Sequence, residues 1–280
     1  MTGSFTGKHR LHTLFMSKWW WVLAWCLLLL WVDPARADAA QYPLRVLVEG
    51  PKASIMVAVS ATAQLVQDDG TVVTLSPLQW FTVTPRTAGT LRLPEGGLVM
   101  VGDRWYPEAM QFARLKSGVA AINFVALETY LRGVVPREMP ASWNQHALMA
   151  QAVAARTYAL TSFQRRKWGP GYDLVDTVMD QVYGGFARYD ARTGRSFTLT
   201  DSRTDQAVAQ TRGIILNYAK VHGNYRADGI KGWVSYGQYQ LPVRKGAMMS
   251  QKVSQQMAQA GWNYAQILTY WYQAELYRLS

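Results

Sequence analysis

The sequence predicts an α+β fold: a β-rich N-terminal part over residues 40–120, then a mixed α/β domain over 121–280 with an Ala-rich central helix. Three observations carry this. From Tyr42 to about Phe124 the chain reads as short β-branched or alternating segments between Pro, Gly and Asp-Gly breakers, with no long helical period. After Ser142 the period becomes helical, with Ala147, Ala150, Ala154 and Tyr158 on one stripe flanked by Leu148 and Val153. The 280 residues are 49% hydrophobic and 17% charged, the profile of one or two globular domains, which excludes disordered, collagen-like and low-complexity chains.

The N-terminus comes first. Lys8, Arg10 and Lys18 precede an uninterrupted apolar run from Trp19 to Val32, followed by Pro34 and small residues at Ala35, Ala37, Ala39 and Ala40. This is the order of a secretory signal peptide, assigned to residues 1–39, with cleavage after Ala37 or Ala39. The run is 14 residues long, short of the roughly 20 that a spanning helix needs. A retained anchor is the alternative, and membrane contact is expected only through this segment if it stays uncleaved. Met16 is a second possible start. The single cysteine, Cys26, lies inside the run, so no disulfide framework is expected in the exported chain.

Strands follow. Leu44–Val48 and Ile55–Val59 alternate or run β-branched. Asp69-Gly70 separates Gln64–Val66 from Val72–Leu75 as a hairpin signal does. Leu78–Val83 and Leu98–Val101 add further strands, with Pro85, Pro94 and Gly96-Gly97 as breakers. No catalytic cluster is visible here, so a structural or binding role is expected of this part.

The second half opens with Leu127–Val135. Glu138 follows in an extended segment between Pro136 and Pro140, where Arg137 and Glu138 point to opposite faces. Ser142 or Asn144 caps a helix running to about Arg166, and its alanines imply close packing. Gly169-Pro170-Gly171 ends the region. Val175–Tyr183 and Ile214–Tyr218 read as strand and loop, and Gln251–Gln259 and Tyr264–Tyr272 as helices broken by Gly261.

Charge narrows the partner. Removing four basic and two acidic residues with segment 1–39 takes the formal net charge from +11 to +9. An exported basic chain favours an acidic envelope polymer and makes nucleic acid an unexpected partner; solvated basic faces are the plainer account of the same charge. Metal and cofactor sites are not expected: the exported part keeps only His146 and His222, without cysteine or a His-x-x-x-His spacing, and there is no Gly-rich phosphate loop. Glu138 remains. Between prolines and beside Val134, Val135 and Met139, it reads as a general acid in an apolar niche or as an ordinary loop glutamate.

The run Leu127-Glu128-Thr129-Tyr130-Leu131-Arg132-Gly133-Val134-Val135-Pro136-Arg137-Glu138-Met139-Pro140, continuing through Trp143 to Ala147 and Ala150–Ala159, resembles the signature of the SpoIID/LytB family of bacterial wall proteins. The likeness extends to Ala121-Ile122-Asn123, to Asp173 and Gln181-Val182-Tyr183-Gly184-Gly185, and more weakly to Thr211-Arg212-Gly213, Met249-Ser250-Gln251 and Ile267-Leu268. It covers roughly residues 98–272 and is strong over 121–185.

The resemblance implies a lytic transglycosylase acting on peptidoglycan glycan strands already stripped of stem peptides. Glu138 aligns with the family's catalytic glutamate. It would protonate the leaving oxygen and then, as carboxylate, take the proton from the muramic acid's C6 hydroxyl, leaving a 1,6-anhydro end. Most glycosidases instead need a carboxyl pair. Arg156, Gln181, Tyr183, Ser250 and Gln251 are the implied substrate-binding residues. From residue type, Arg156 reads first as a buried contact to the Glu138 loop. Gln181 and Tyr183 line a sugar groove or pack in a core, and the aromatics Trp262, Tyr264, Tyr270, Trp271 and Tyr272 stack on sugar or fill a helix core. An exported location in the cell envelope and a possible cell-wall amidase partner follow from the same likeness.

The chain also departs from the family. A Cys-Asp-Thr-x-His-Cys cluster, partly zinc ligands in many members, is here Val175-Asp176-Thr177-Val178-Met179-Asp180. The Gly-His-Gly-Val-Gly-Met-Ser-Gln loop reads Arg244-Lys245-Gly246-Ala247-Met248-Met249-Ser250-Gln251, a Ser- and Gly-rich segment reads Tyr225-Arg226-Ala227-Asp228-Gly229, and a Tyr-Tyr-Pro-Gly turn reads Trp271-Tyr272-Gln273-Ala274. These losses admit a second function, a non-catalytic glycan-binding enhancer of a wall amidase, and a third, a structural envelope protein that kept only the fold.

Overall fold

The computed structural model describes residues 43–217, 233–236, 239–242, 249–272 and 274–279. Residues 1–39, read above as a signal peptide, together with His222, the Tyr225–Gly229 segment and loop positions 244–248, lie outside them.

Two antiparallel-dominated sheets face each other. The first contains β1 (Pro43–Lys52), β3 (Ala63–Gln67), β4 (Val72–Leu75), β6 (Gly89–Arg92), β9 (Ala109–Leu115), β10 (Gly118–Ala126) and the two-residue β11 (Leu174–Val175). The second contains β2 (Ile55–Val59), β5 (Phe81–Val83), β7 (Leu98–Val101), β8 (Arg104–Pro107), β12 (Ala187–Asp190) and β13 (Arg195–Thr198). Their orders are β11-β1-β10-β9-β6-β3-β4 and β13-β12-β8-β7-β2-β5.

Period-2 alternation explains the core between them. In β2, Ile55, Val57 and Val59 point inward while Met56 is 56% exposed. Val46, Leu65, Leu91 and Phe112 of the first sheet meet Val57, Val99, Val101 and Tyr106 of the second in one buried cluster. The β3–β4 hairpin turns at Gly70, whose φ of +88° suits a residue without Cβ. Of the expected strand Leu78–Val83 only residues 81–83 pair, because Leu78 adopts φ +60° and leaves the ladder.

A helical layer follows: α1 (Leu127–Glu138), α2 (Gln145–Arg165), α3 (Ser202–Gln210), α4 (Gln251–Gln259) and α5 (Tyr264–Tyr272). Helix α1 corrects the extended segment expected around Glu138. Leu127, Tyr130, Leu131, Val134 and Val135 recur at i, i+3, i+4, i+7 and i+8 and are all buried. Pro136 sits near the helix end, where the missing N–H breaks a single hydrogen bond and the helix stops after Glu138.

Asn144 caps α2, its side chain accepting from the His146 N–H. Helix α2 is buried on two sides, which explains its weak amphipathicity. Ala152, Ala155 and Ala159 join the inter-sheet core, while Ala147, Leu148, Ala150 and Val153 form a second core with Met139, Met249, Ala258, Ile267 and Leu268. Two smaller pairs complete the fold: β14 (Ile214–Asn217) with β17 (Glu275–Arg278), and β15 (Trp233–Tyr236) with β16 (Tyr239–Pro242).

Candidate active site

Helix α1 runs directly out of β10 and delivers Glu138 to its C-terminal end. Beside it Met139 is buried in the second core and donates its N–H to Val135 O at 3.0 Å, which fixes the helix end. The Glu138 carboxylate is half-buried and held on both oxygens. Oε1 accepts from the Val182 N–H at 3.1 Å, and Oε2 accepts from Gln251 Nε2 at 3.0 Å. Three elements therefore converge: the end of α1, segment 181–185 and the start of α4. The apolar niche expected from Val134, Val135 and Met139 is instead a polar cradle, because those three side chains turn into the two cores.

Segment 181–185 is held at both flanks. The Gly184 N–H donates to Gly133 O at 3.1 Å, and the Phe186 N–H to Trp105 O at 2.7 Å. A Cβ on Gly133 would lie 2.5 Å from the Tyr183 ring, and one on Gly185 would lie 2.5 Å from Trp105 O, so glycine allows the close approach on each side. Tyr183 is fully buried, packs at 4.8 Å centroid distance on Tyr130, and donates from its hydroxyl to Asn123 Oδ1 at 2.9 Å. Gln181 is also buried and accepts from the Tyr130 hydroxyl at 3.3 Å. Both residues are buried behind the cradle.

Ser250 is the N-cap of α4, its Oγ accepting from the Val253 N–H at 3.4 Å, and it positions Gln251 as the first helical residue. Arg156 is elsewhere. Its guanidinium is completely buried and forks onto Glu128, Nε to Oε1 and Nη2 to Oε2 at 2.7 Å each, with further bonds to Ile214 O and Val208 O. The expected contact to the Glu138 loop is thus corrected: Arg156 is buried and fixes the first turn of α1, about 15 Å from Glu138 at 1.5 Å per residue. The aromatics of α5 and of the turn before it divide. Tyr264, Trp271 and Tyr272 pack on the second core, while Tyr270 is 61% and Trp262 39% exposed. His146 is exposed and stacks on Tyr264.

Sequence reasoning missed Asp180. Its side chain is buried and accepts four bonds: from Tyr158 Oη at 2.8 Å, Lys167 Nζ at 2.7 Å, Trp168 Nε1 at 2.6 Å and the Val175 N–H at 2.9 Å. The available signal was a carboxylate where the related pattern has a thiol. These residues do not fit zinc. Val178 and Met179 are exposed apolar side chains, and Asp180 is engaged by four donors, one of them a cation. Among the described residues no group of three His, Cys, Asp or Glu side chains is placed to hold a metal. Nearby, burial pushes the Asp176 carboxyl up to about 6 against the opposing pull of Arg104.

Residues 115–218 match the family model described as Stage II sporulation protein, SpoIID. It is 43% identical over 88 residues to the amidase enhancer of Bacillus subtilis, a stretch that is 31% of this chain and 10% of that protein. Stage II sporulation protein D of B. subtilis is 38% identical over 101 residues, 35% of this chain and 29% of that protein. The corresponding protein of Bacillus amyloliquefaciens is 36% identical over 103 residues, again 35% and 29%. The chain thus spans between a tenth and three tenths of the length of these relatives. Glu138, Gln181 and Tyr183 fall inside the matched segment; Ser250 and Gln251 fall beyond it.

Proposed function

We propose that this protein acts on peptidoglycan glycan at the cell envelope, as a lytic transglycosylase with Glu138 as its single acid and base. The observation that supports it is the two-donor hold on Glu138. The Val182 N–H is a fixed donor, so Oε1 remains the unprotonated oxygen and Oε2 is the one that exchanges a proton. The Gln251 amide offers an N–H to the carboxylate and, turned over, a carbonyl to the carboxylic acid. A group of that kind suits a residue that must be an acid in one half-reaction and a base in the next.

The step balances on one residue. Glu138 gives its proton to the glycosidic oxygen as the C1–O4 bond breaks, and the leaving sugar departs with a hydroxyl. The muramic acid's C6 oxygen bonds to C1, closing the 1,6-anhydro ring, and its proton returns to Glu138. Neither water nor a second enzyme carboxylate is consumed.

The second reading is a glycan-binding enhancer of a cell-wall amidase, favoured by the likeness to the B. subtilis amidase enhancer. One experiment separates them. The protein and its Glu138→Gln variant are incubated with peptide-stripped strands and with intact peptidoglycan, and products are read by mass spectrometry. Anhydro-ended fragments from stripped strands, absent with the variant, support the enzyme. Strand binding without fragments leaves the enhancer. Export through segment 1–39 belongs to the same proposal, and an N-terminal sequence of the secreted protein tests it.

A further inference from the structure

The structure assigns Arg137, supported by Arg104, as an anion subsite beside Glu138 that reads a carboxylate on the sugar being cleaved; this rests on the glycan reading above. Gly184 is where the two cations converge. A Cβ there would lie 3.1 Å from Arg137 Cδ and 3.3 Å from Arg104 Nη1, so one arginine's stem and the other's guanidinium cover the same residue. Arg137 is exposed, and among the described residues it has no hydrogen-bond or ion-pair partner. Arg104 is partly committed, at 3.7 Å from Asp103 and facing Asp176, so it supplies field while Arg137 keeps its donors free.

Spacing connects this pair to the acid. Glu138 is held at Val182 and Arg137 lies on Gly184, two residues along the same segment, which is at most about 7 Å. That is the scale of one pyranose ring. A sugar with its glycosidic oxygen at Glu138 therefore brings a carboxylate on its far side to Arg137. The lactyl group of muramic acid has that placement. It is a carboxylate once the stem peptide is removed and a neutral amide before, and a guanidinium fork distinguishes the two by charge and geometry.

The test uses the full chain carrying Glu138→Gln, so that strands are bound and not cut. The probes are peptide-free glycan strands with free lactyl carboxylates and the same strands with those carboxylates converted to methylamides. The expected preference for the free acid is about tenfold, the low end for a charge-assisted hydrogen bond. Adding Arg137→Gln should bring the two affinities within about twofold, and Arg137→Lys should retain part of the preference. Arg192→Gln, on the exposed β12–β13 hairpin, should keep the full ratio. A ratio unchanged by Arg137→Gln, or equal affinities before it is introduced, overturns the subsite. Anhydro ends are scored separately on the Glu138 protein: their absence ends the transglycosylase reading and leaves the affinity ratio readable, while their presence with an unchanged ratio ends the subsite alone.

Discussion

Glu138 and Gln251 stand 113 residues apart in the chain, and their side chains meet at 3.0 Å. The bond joins the segment most like the SpoIID family to a helix beyond the matched residues. Gln251→Ala removes the reversible partner of Oε2 and is expected to lower anhydro-product formation about tenfold, the scale of one hydrogen bond to a charged group. Gln251→Glu should be worse, since it sets a second carboxylate against the first. Initial rates on stripped strands, with unfolding midpoints as control, measure both.

Arg156 and Glu128 form a buried fork at 2.7 Å, and the guanidinium has no access to solvent. Arg156→Ala leaves Glu128 without its cation and is expected to lower stability by about 3–5 kcal/mol. Arg156→Lys should recover little, because an ammonium cannot span both oxygens and the carbonyls of Val208 and Ile214. Urea unfolding is the measurement, and a loss under about 1 kcal/mol for Arg156→Ala would refute the role.

Asp180 ties α2, the Lys167-Trp168 turn and β11 together through four acceptor contacts. Asp180→Ala removes the acceptor that the half-buried Trp168 and Tyr158 donors share and is expected to cost about 1–3 kcal/mol, with Asp180→Asn losing less. The unfolding midpoint of the parent protein should not move on adding a chelator. A chelator-induced fall would mean that a metal holds this loop.

Gly133→Ala drives a Cβ to within 2.5 Å of the Tyr183 ring, deep between α1 and segment 181–185. Alanine favours a helix, so by propensity alone the change should stabilise α1 by up to about 1 kcal/mol. Overpacking is the larger effect and is expected to give a net loss of about 1–3 kcal/mol with a disproportionate fall in turnover, because Val182 shifts with Tyr183. Parallel measurement of stability and rate tests the sign.

Asp176 sets a pH dependence. Its folded pKa, pushed up to about 6, lies above the ordinary 3.8, so the folded state holds the proton more tightly than the unfolded chain. Stability from this group is full below about pH 4 and falls as pH rises to about 6. Partial exposure of the carboxyl reduces the effect to on the order of 2 kcal/mol. Asp176→Asn should flatten that part of the stability profile; an unchanged slope between pH 4 and 6 would count against it.

Much of this architecture is visible in the chain. Ile55–Val59, Val72–Leu75, Leu98–Val101, Gln251–Gln259 and Tyr264–Tyr272 are strands and helices at the bounds their periodicity indicates. Helix α1 was hidden because Val134-Val135 ahead of two closely spaced prolines resembles a strand locally, and its apolar period shows only when Leu127, Tyr130 and Leu131 are counted with it. Glu138 stands out in its motif, but what holds it does not. Val182 contributes a backbone N–H, which no side-chain pattern encodes, and Arg156 contacts Glu128 because α2 crosses the start of α1, a matter of tertiary geometry.

The placement of β1 has a consequence for timing. This early strand lies between β10, which leads into α1 and Glu138, and β11, which leads to Val182, and Val46 pairs with Leu174 128 positions later. Closing a loop of that length is slow compared with forming a helix or a hairpin. During synthesis the glutamate therefore appears well before its cradle. On the transglycosylase reading, cleavage of glycan therefore waits until Gln251 has been made, and truncated chains ending before Gln251 should form no anhydro ends.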